Sequence, residues 1–550
     1  MKVIEIRAYK EKIAFRFEGA EEGAVVTIKA QVPLVCGPED PAFVPGRVVW
    51  KGDVTLRGGA GEIPRYAGKT DLLVYRFLCG CPGVCYVTEV EDEVSEFTDP
   101  YPDRPLKAIN AKVLEEDLDD LGFAQTSMGW NQAVVMVSKG TPDAIEFEYD
   151  GETYYFNRAE VERVDKTMQR VWKRGITAVS RHVNASFLAG ERADQAVVDI
   201  IQHPGYDYSY PSAYMGAFNL RTEEGFKYFC AYIDHMLARY TRPDHKYGWM
   251  VSFETGNEVT SQYVWNNAGE MTCAEYMKEY TEVMRISWLL AMKHWKNFRV
   301  FTSFDQYFCG RHVPSEPKRF YGMKESMDEI QNNCDRDGNF PWNVAFHPYP
   351  ENLSYPDFWN DREPNWTFET RRITFKNLEV MPAYLAQERF LYKGKPRRII
   401  LPEQGFNSRN DAPYTLMQGK YGYVLAYQKM KKLGTIDMFL HHNYVDGPWE
   451  FGLNLGIRYC DGYDENNREI IAGRKPICEA IAAMDTDREA EMVEEARAYI
   501  GAEIFDYMLN PPEVAASVDH SRDGLTIPGQ GNRRATDKAK AEGPKANFDT

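Results

Sequence analysis

No stretch of this sequence approaches the roughly 18 consecutive apolar residues of a membrane-spanning helix, so a bilayer is not an expected partner. The opening, MKVIEIRAYKEKIAFRF, alternates apolar and polar residues and lacks the continuous apolar centre of a secretory signal, which makes a cytoplasmic location the expectation. Positive charge is also in deficit. Asp plus Glu exceed Lys plus Arg by 82 to 65, and a formal charge of -17 repels a phosphate backbone, so nucleic acid is excluded as an expected partner. No strand-like segment leads into GxGxxG or GxxxxGK[ST], which removes the dinucleotide and P-loop readings. Of the ten cysteines only Cys79, Cys81 and Cys85 cluster. They form no CxxC pair and have no downstream Cys/His set, so reduced, buried thiols are expected rather than metal ligands. No cofactor is called for.

What is present is the composition of an ordinary soluble globular chain, 43% hydrophobic and 27% charged, with an excess of aromatics at 13%. Rings with polar edges fill large cores, and they also stack on the apolar faces of sugars. Composition leaves both readings open. At 550 residues there is room for a barrel of roughly 250 to 400 residues and an accessory module.

Residues 1–105 read as strands, over 2–9, 12–17, 24–31, 47–56, 71–78 and 84–90, separated by Gly/Pro/Asp clusters, and suggest an antiparallel β-domain. FTDPYPDRP then breaks regular structure as a linker. From residue 106 strands alternate with helices. A helical segment over 108–121 precedes a first strand over 122–127, and 133–137 with 145–155 form a hairpin-like insertion. Further strands follow over 176–182, 213–218, 248–253, 298–303, 343–346, 398–401 and 435–440. Helices are expected between them over 159–172, 223–240 with Thr222 as cap, 272–295 opened by a Thr272/Glu275 capping box, 370–385 and 413–432. Eight strand–helix units over residues 106–485 imply an α/β fold, a closed (β/α)8 TIM barrel, with residues 486–518 as a C-terminal helical extension and 519–550 as a polar tail.

In such a barrel the reactive groups sit on loops that follow the strands. The fourth strand leads into FETGNEVTSQYVW, the sixth into HPYPENLSYP, the seventh into PEQGFNSRN and the eighth into HHNYVDGPW. Two of these present a carboxylate at the mouth among amides and aromatics. Cleaving an acetal needs one group to protonate the leaving oxygen and another to meet an oxocarbenium-like carbon, hence two carboxyls in different protonation states.

On these motifs residues 106–485 resemble clan-A glycoside hydrolases, retaining (β/α)8 enzymes with Asn-Glu after strand four and Glu after strand seven. The resemblance implies Glu258 as acid/base, Asn257 as a partner of the sugar 2-hydroxyl and Glu403 as nucleophile. His347 and Tyr349 match a His-x-Tyr after strand six whose tyrosine touches the nucleophile, and Arg181 matches an arginine beneath it. Where clan members carry tryptophan directly after strand eight this chain has His441-His442-Asn443, with Trp449 later; Asn443 and Trp449 are the candidate sugar contacts there. The implied activity is retaining cleavage of β-glycosidic bonds in an oligo- or polysaccharide.

Blander readings stand beside these: Glu258 as a solvated loop acid, His347 as a core histidine, and Glu254 as a rival acid/base in the same loop. Asp305 is a candidate sugar contact. Adjacent His441 and His442 point to opposite faces, so at most one enters the barrel. Two rival functions remain, a non-catalytic carbohydrate-binding barrel and a metal-dependent hydrolase. The latter calls for His-x-His after strand one, where the chain offers Gln125-Thr126-Ser127-Met128. The loops over 184–211, 306–341 and 350–369 favour terminal over internal cleavage.

Overall fold

The structure, a computed structural model, describes residues 1–35 and 46–517; the side chain of Trp449 and the tail expected from residue 519 lie outside the described residues. At its centre eight parallel strands close into a barrel in the order Lys107–Asn110, Gln125–Asn131, Thr177–Val183, Met250–Thr255, Arg299–Phe301, Trp342–Ala345, Ile399–Leu401 and Ile436–His441. Closure comes from Ala108 pairing with Leu440. Inside, Ala108, Val179, Phe301, Ala345, Ile400, Met438 and Leu440 pack as a separate apolar plug, the layered filling a barrel of this size requires.

The count of eight holds, but two members differ from the expectation. Lys107–Asn110, which overlaps the start of the helix expected over 108–121, is the first strand, and only Glu115–Asp120 of that segment is helical. Residues 213–218, expected as a strand, contribute single bridges, Gly216 to Asn184 and to Asn267, outside the barrel. Gln125–Asn131 is therefore the second strand and Arg181 lies on the third rather than the second. Four residues are too few to show a period of two, and a six-residue apolar run does not reveal whether a neighbouring strand exists to pair with it.

Two of the outer helices start at clear side-chain caps. Glu223–Tyr240 starts at Thr222, whose side chain accepts from Gly225 N at 3.1 Å. Cys273–His294 starts with both halves of the Thr272/Glu275 box. The 370–385 segment is not one helix but a 3-10 turn, Phe375–Asn377, and a short helix, Val380–Leu385. Two of the presumed long loops are also structured, by Gln195–Ile201 and by Met323–Asp337. The insertion forms a three-stranded sheet, although residues Gln132–Val135 at its start are helical.

The described N-terminal residues build two larger sheets and a small ribbon of Tyr66–Ala67 with Thr70–Asp71. One orders Ala60–Pro64, Lys12–Glu18, Lys2–Ala8 and Glu89–Val90, the last parallel to its neighbour; the other orders Val48–Thr55, Val25–Gln31 and Arg76–Leu78. In Lys12–Glu18 the alternation buries Ile13, Phe15 and Phe17, and Phe15 meets Phe77 of the other sheet edge-on at 5.2 Å. The segment expected as a linker is packed down. Phe97 stacks on Trp295 at 5.5 Å, and Arg299 lies over the Tyr101 ring at 3.5 Å. The C-terminal extension is two helices, Glu489–Ile500 and Ala502–Leu509, parted at Gly501 with φ of 99°. Among the described residues no helix is long and apolar enough to cross a membrane.

Candidate active site

The fourth strand, Met250–Thr255, is buried along its whole length and ends in a forced turn. Gly256 has φ of 77°, and a Cβ there would stand 2.7 Å from Asn266 Oδ1, so conformation and space both demand glycine. Asn266 Nδ2 donates to Asn257 O at 2.7 Å. Glu258 itself is left-handed, φ 39° and ψ 52°, and its backbone N–H donates to Ser303 Oγ, just past the end of the fifth strand, at 3.1 Å. A non-glycine residue in that region costs on the order of 1–3 kcal/mol and persists only where its surroundings hold it. Here the turn lifts the Glu258 carboxyl over the barrel mouth.

Glu403 follows the fully buried Ile399–Leu401. Arg181 Nη1 donates to its Oε2 at 2.6 Å and to Asn257 Oδ1 at 2.7 Å, and Tyr349 Oη donates to its Oε1 at 3.3 Å. Burial alone would raise the Glu403 pKa, but the charge of Arg181, then those of His347 and His442, outweigh it and hold the carboxyl well below the usual range. The surrounding positive charge thus favours the ionised form of Glu403.

His347 is fully buried between the acids. Its Nδ1 lies 2.9 Å from Glu258 Oε1 and 4.0 Å from Glu403 Oε1, and its Nε2 lies 3.1 Å from Glu254 Oε1. Burial opposes its charge, yet Glu403 and the hydrogen bonds to Glu254 and Glu258 prevail and lift the imidazole to about 10. One donor atom each from Glu258, His347 and Glu403 lies within 4.8 Å of the others. That spacing also suits a metal ion. Both ring nitrogens of His347, however, are already engaged by carboxylates, Nδ1 by Glu258 and Nε2 by Glu254, and a cation would have to displace the first of these contacts.

Of the residues singled out in the sequence, Glu258, Glu403, Asn257, Arg181, His347 and Tyr349 thus meet in one cluster. Asn443 lies at its edge, its Nδ2 3.4 Å from Glu450 Oε1 and its Oδ1 3.5 Å from Asn110 Nδ2. Trp449 belongs to the 3-10 turn Pro448–Glu450, and its side chain is outside the described residues. Glu254 is a buried partner of His347 and Arg181, with Oε2 3.4 Å from Arg181 Nε. Asp305 accepts from Ser261 Oγ at 2.8 Å and from Tyr307 N at 2.9 Å; burial, then the charge of Glu258, pushes it to about 7.

Three further residues border the site: Glu450 and Asn110, which sequence reasoning missed, and His442, which it named only as one of an adjacent histidine pair. His442 Nε2 stands 3.0 Å from Glu450 Oε1 and Nδ1 3.3 Å from Asn110 Nδ2. Burial lowers the His442 pKa, but the charges of Glu403 and Glu450 raise it above the free value. His441 points the other way, stacked on Phe406 at 6.1 Å, and burial drives it to about 3. The alternation rule allowed one inward histidine; only the position of the strand end selects which.

No curated protein matches this sequence. Among solved structures the chain is similar to a family 39 glycoside hydrolase from the gut symbiont Bacteroides cellulosilyticus WH2, at 12% identity over 88% of this chain and 82% of that one, with a TM-score of 0.41. It is similar to the hyperthermophilic β-glucosidase of Pyrococcus furiosus at 14% identity over 70% and 86%, TM-score 0.43. The β-glycosidase of Thermosphaera aggregans is similar at 12% identity over 69% and 87%, TM-score 0.41. One family is matched across the whole barrel and beyond it, residues 102–508, and the chain belongs to it: DUF5722, described as a family of unknown function.

Proposed function

We propose that this chain is a glycoside hydrolase that cleaves β-glycosidic bonds of an oligo- or polysaccharide with retention of configuration. Glu403 attacks the anomeric carbon while Glu258 protonates the departing oxygen. A water deprotonated by Glu258 then releases the sugar from Glu403. Asn257, fixed by Arg181, is placed to meet the sugar 2-hydroxyl. Tyr349 steadies the nucleophile, and Asn443, with Trp449 on the same loop, faces the sugar.

One observation carries the reading. An oxygen of Glu258 and an oxygen of Glu403 lie within 4.8 Å of each other, in keeping with the about 5–5.5 Å of retaining pairs and short of the roughly 6.5–9.5 Å that an inverting pair keeps open for water. The protonation environments also differ, since of these two acids Glu403 alone is paired with Arg181. A screen of aryl glycosides varied in the sugar alone tests the proposal: turnover of one of them by the wild type and its loss in Glu403→Gln support it, and no turnover across the screen refutes it.

The three-donor spacing of Glu258, His347 and Glu403 is the observation in favour of a metal-dependent hydrolase. Under the glycosidase reading a strong chelator leaves the rate unchanged, whereas a rate restored by an added divalent cation would select the metal.

A further inference from the structure

Glu254 sits one turn of strand before the proposed acid/base, and it is completely buried. Its Oε1 accepts from Ser303 Oγ at 2.8 Å and faces His347 Nε2 at 3.1 Å. The other face of the same imidazole meets Glu258 Oε1 at 2.9 Å. A neutral imidazole owns a single N–H, so two carboxylate contacts require one more proton, either on Nδ1 or on Glu258 Oε1. In either case one proton is committed to Glu254 and a second lies along the Nδ1···Oε1 line.

We propose that Glu254 and His347 form a proton-holding relay behind Glu258, in which Glu254 is a positioning residue: it fixes the Nε2–H and so leaves the Nδ1 proton for Glu258. The inference rests on the glycosidase reading and assigns to it the origin of the acid proton. In the first step the bond from the anomeric carbon to the leaving oxygen breaks with its electron pair on oxygen, and a bond to a Glu403 oxygen forms. The Nδ1 proton passes through the Glu258 carboxyl to the leaving oxygen. His347 ends neutral, its Nε2–H still donated to Glu254, and Glu258 ends ionised. In the second step water adds to the anomeric carbon, the Glu403 ester breaks, and the proton of the water returns along the same line to His347.

The timing follows from electrostatics. The charge of Glu403 is the largest influence that keeps His347 protonated. Esterification abolishes that charge when the leaving group needs a proton, and hydrolysis restores it when the proton must return. The other charged groups around the imidazole keep their charge through both steps or are paired elsewhere. From strand three Arg181 is shared by Glu254 and Glu403. From the loop after strand five Asp305 is bonded to Ser261 and the Tyr307 N–H, and after strand eight His442 is bonded to Glu450.

The test uses the full chain with histidine labelled at 13Cε1 and 15N, the His347 signal assigned by its loss in His347→Gln. In the wild type the ring stays doubly protonated through neutral pH, and in Glu254→Gln it titrates at least about one unit lower. On the sugar chosen by the screen, Glu254→Gln loses about 100-fold in kcat/KM for glycosides with an alkyl leaving group but less than about 5-fold for 2,4-dinitrophenyl glycosides, whose departure needs no acid. Equal losses on both leaving groups, or an unchanged His347 titration in a folded variant, would overturn the relay. Should Glu254→Gln not fold, His347→Gln must show the same leaving-group split, and a uniform loss there overturns it as well. If the wild type hydrolyses no glycoside, the glycosidase reading fails by itself, while the titration still decides whether Glu254 holds the proton.

Discussion

Arg181 and Glu403 lie 2.6 Å apart, an ion pair between the third and seventh strands whose same guanidinium nitrogen also holds Asn257 at 2.7 Å. One donor thus orients the proposed nucleophile and the amide beside the proposed acid. In Arg181→Met the buried Glu403 charge loses its principal counterion, and stability at neutral pH falls by about 3 kcal/mol. Glu403 is depressed in the folded wild type, so its contribution is present above the unfolded carboxylate value and lost as pH falls through the folded one. The variant deficit accordingly shrinks on acidification, as protonation removes the unpaired charge; denaturant unfolding at a series of pH values measures it.

His347 gives the opposite dependence. Its folded value of about 10 lies above the free value, so the stability it contributes is complete below about 6.5 and is lost as pH rises through about 10. The stability gap between wild type and His347→Gln narrows across that interval. Paired urea titrations at pH 6 and pH 10 would show it, and a gap that widens would contradict the assignment.

Gly256→Ala places a side chain 2.7 Å from Asn266 Oδ1 on a backbone with φ of 77°. It destabilises by about 1–3 kcal/mol, and because the Glu258 turn moves with it, kcat falls more than KM rises on a glycoside with a poor leaving group. Steady-state kinetics beside thermal unfolding separates the two effects.

Trp295 is a control at the far end of the barrel. It is fully buried and stacked on Phe97 of the packed N-terminal strap. Trp295→Ala costs about 3–5 kcal/mol, and at temperatures where the variant remains folded kcat/KM is unchanged.

Legibility in the sequence followed local chemistry. The Glu254–Glu258 run was readable because a buried strand leads straight into Gly256-Asn257-Glu258, and Glu403 because it closes an apolar run of three. The first strand was not, since Lys107–Asn110 shows no period and owes its state to pairing with Gln125–Asn131 on one side and Ile436–His441 on the other. The contacts of His442, Glu450 and Asn110 were hidden for a related reason. Their roles arise from contacts between the first strand and the loop after the eighth, more than 300 residues apart for Asn110 and His442, and no spacing rule spans such a closure. Glu254 was visible as a rival acid, but its part as the buried partner of His347 depends on strand six lying two places away across the barrel.

The central claim is that Glu403 bonds covalently to the sugar across from Glu258. Its most direct test is incubation with the 2-deoxy-2-fluoro glycoside of whichever sugar the aryl-glycoside screen selects, followed by peptide mass spectrometry. The account predicts one equivalent of fluorosugar ester on the peptide that carries Glu403, with inactivation that follows its formation. Turnover of the parent glycoside without any ester, or an ester on Glu258 or Glu254, would contradict it.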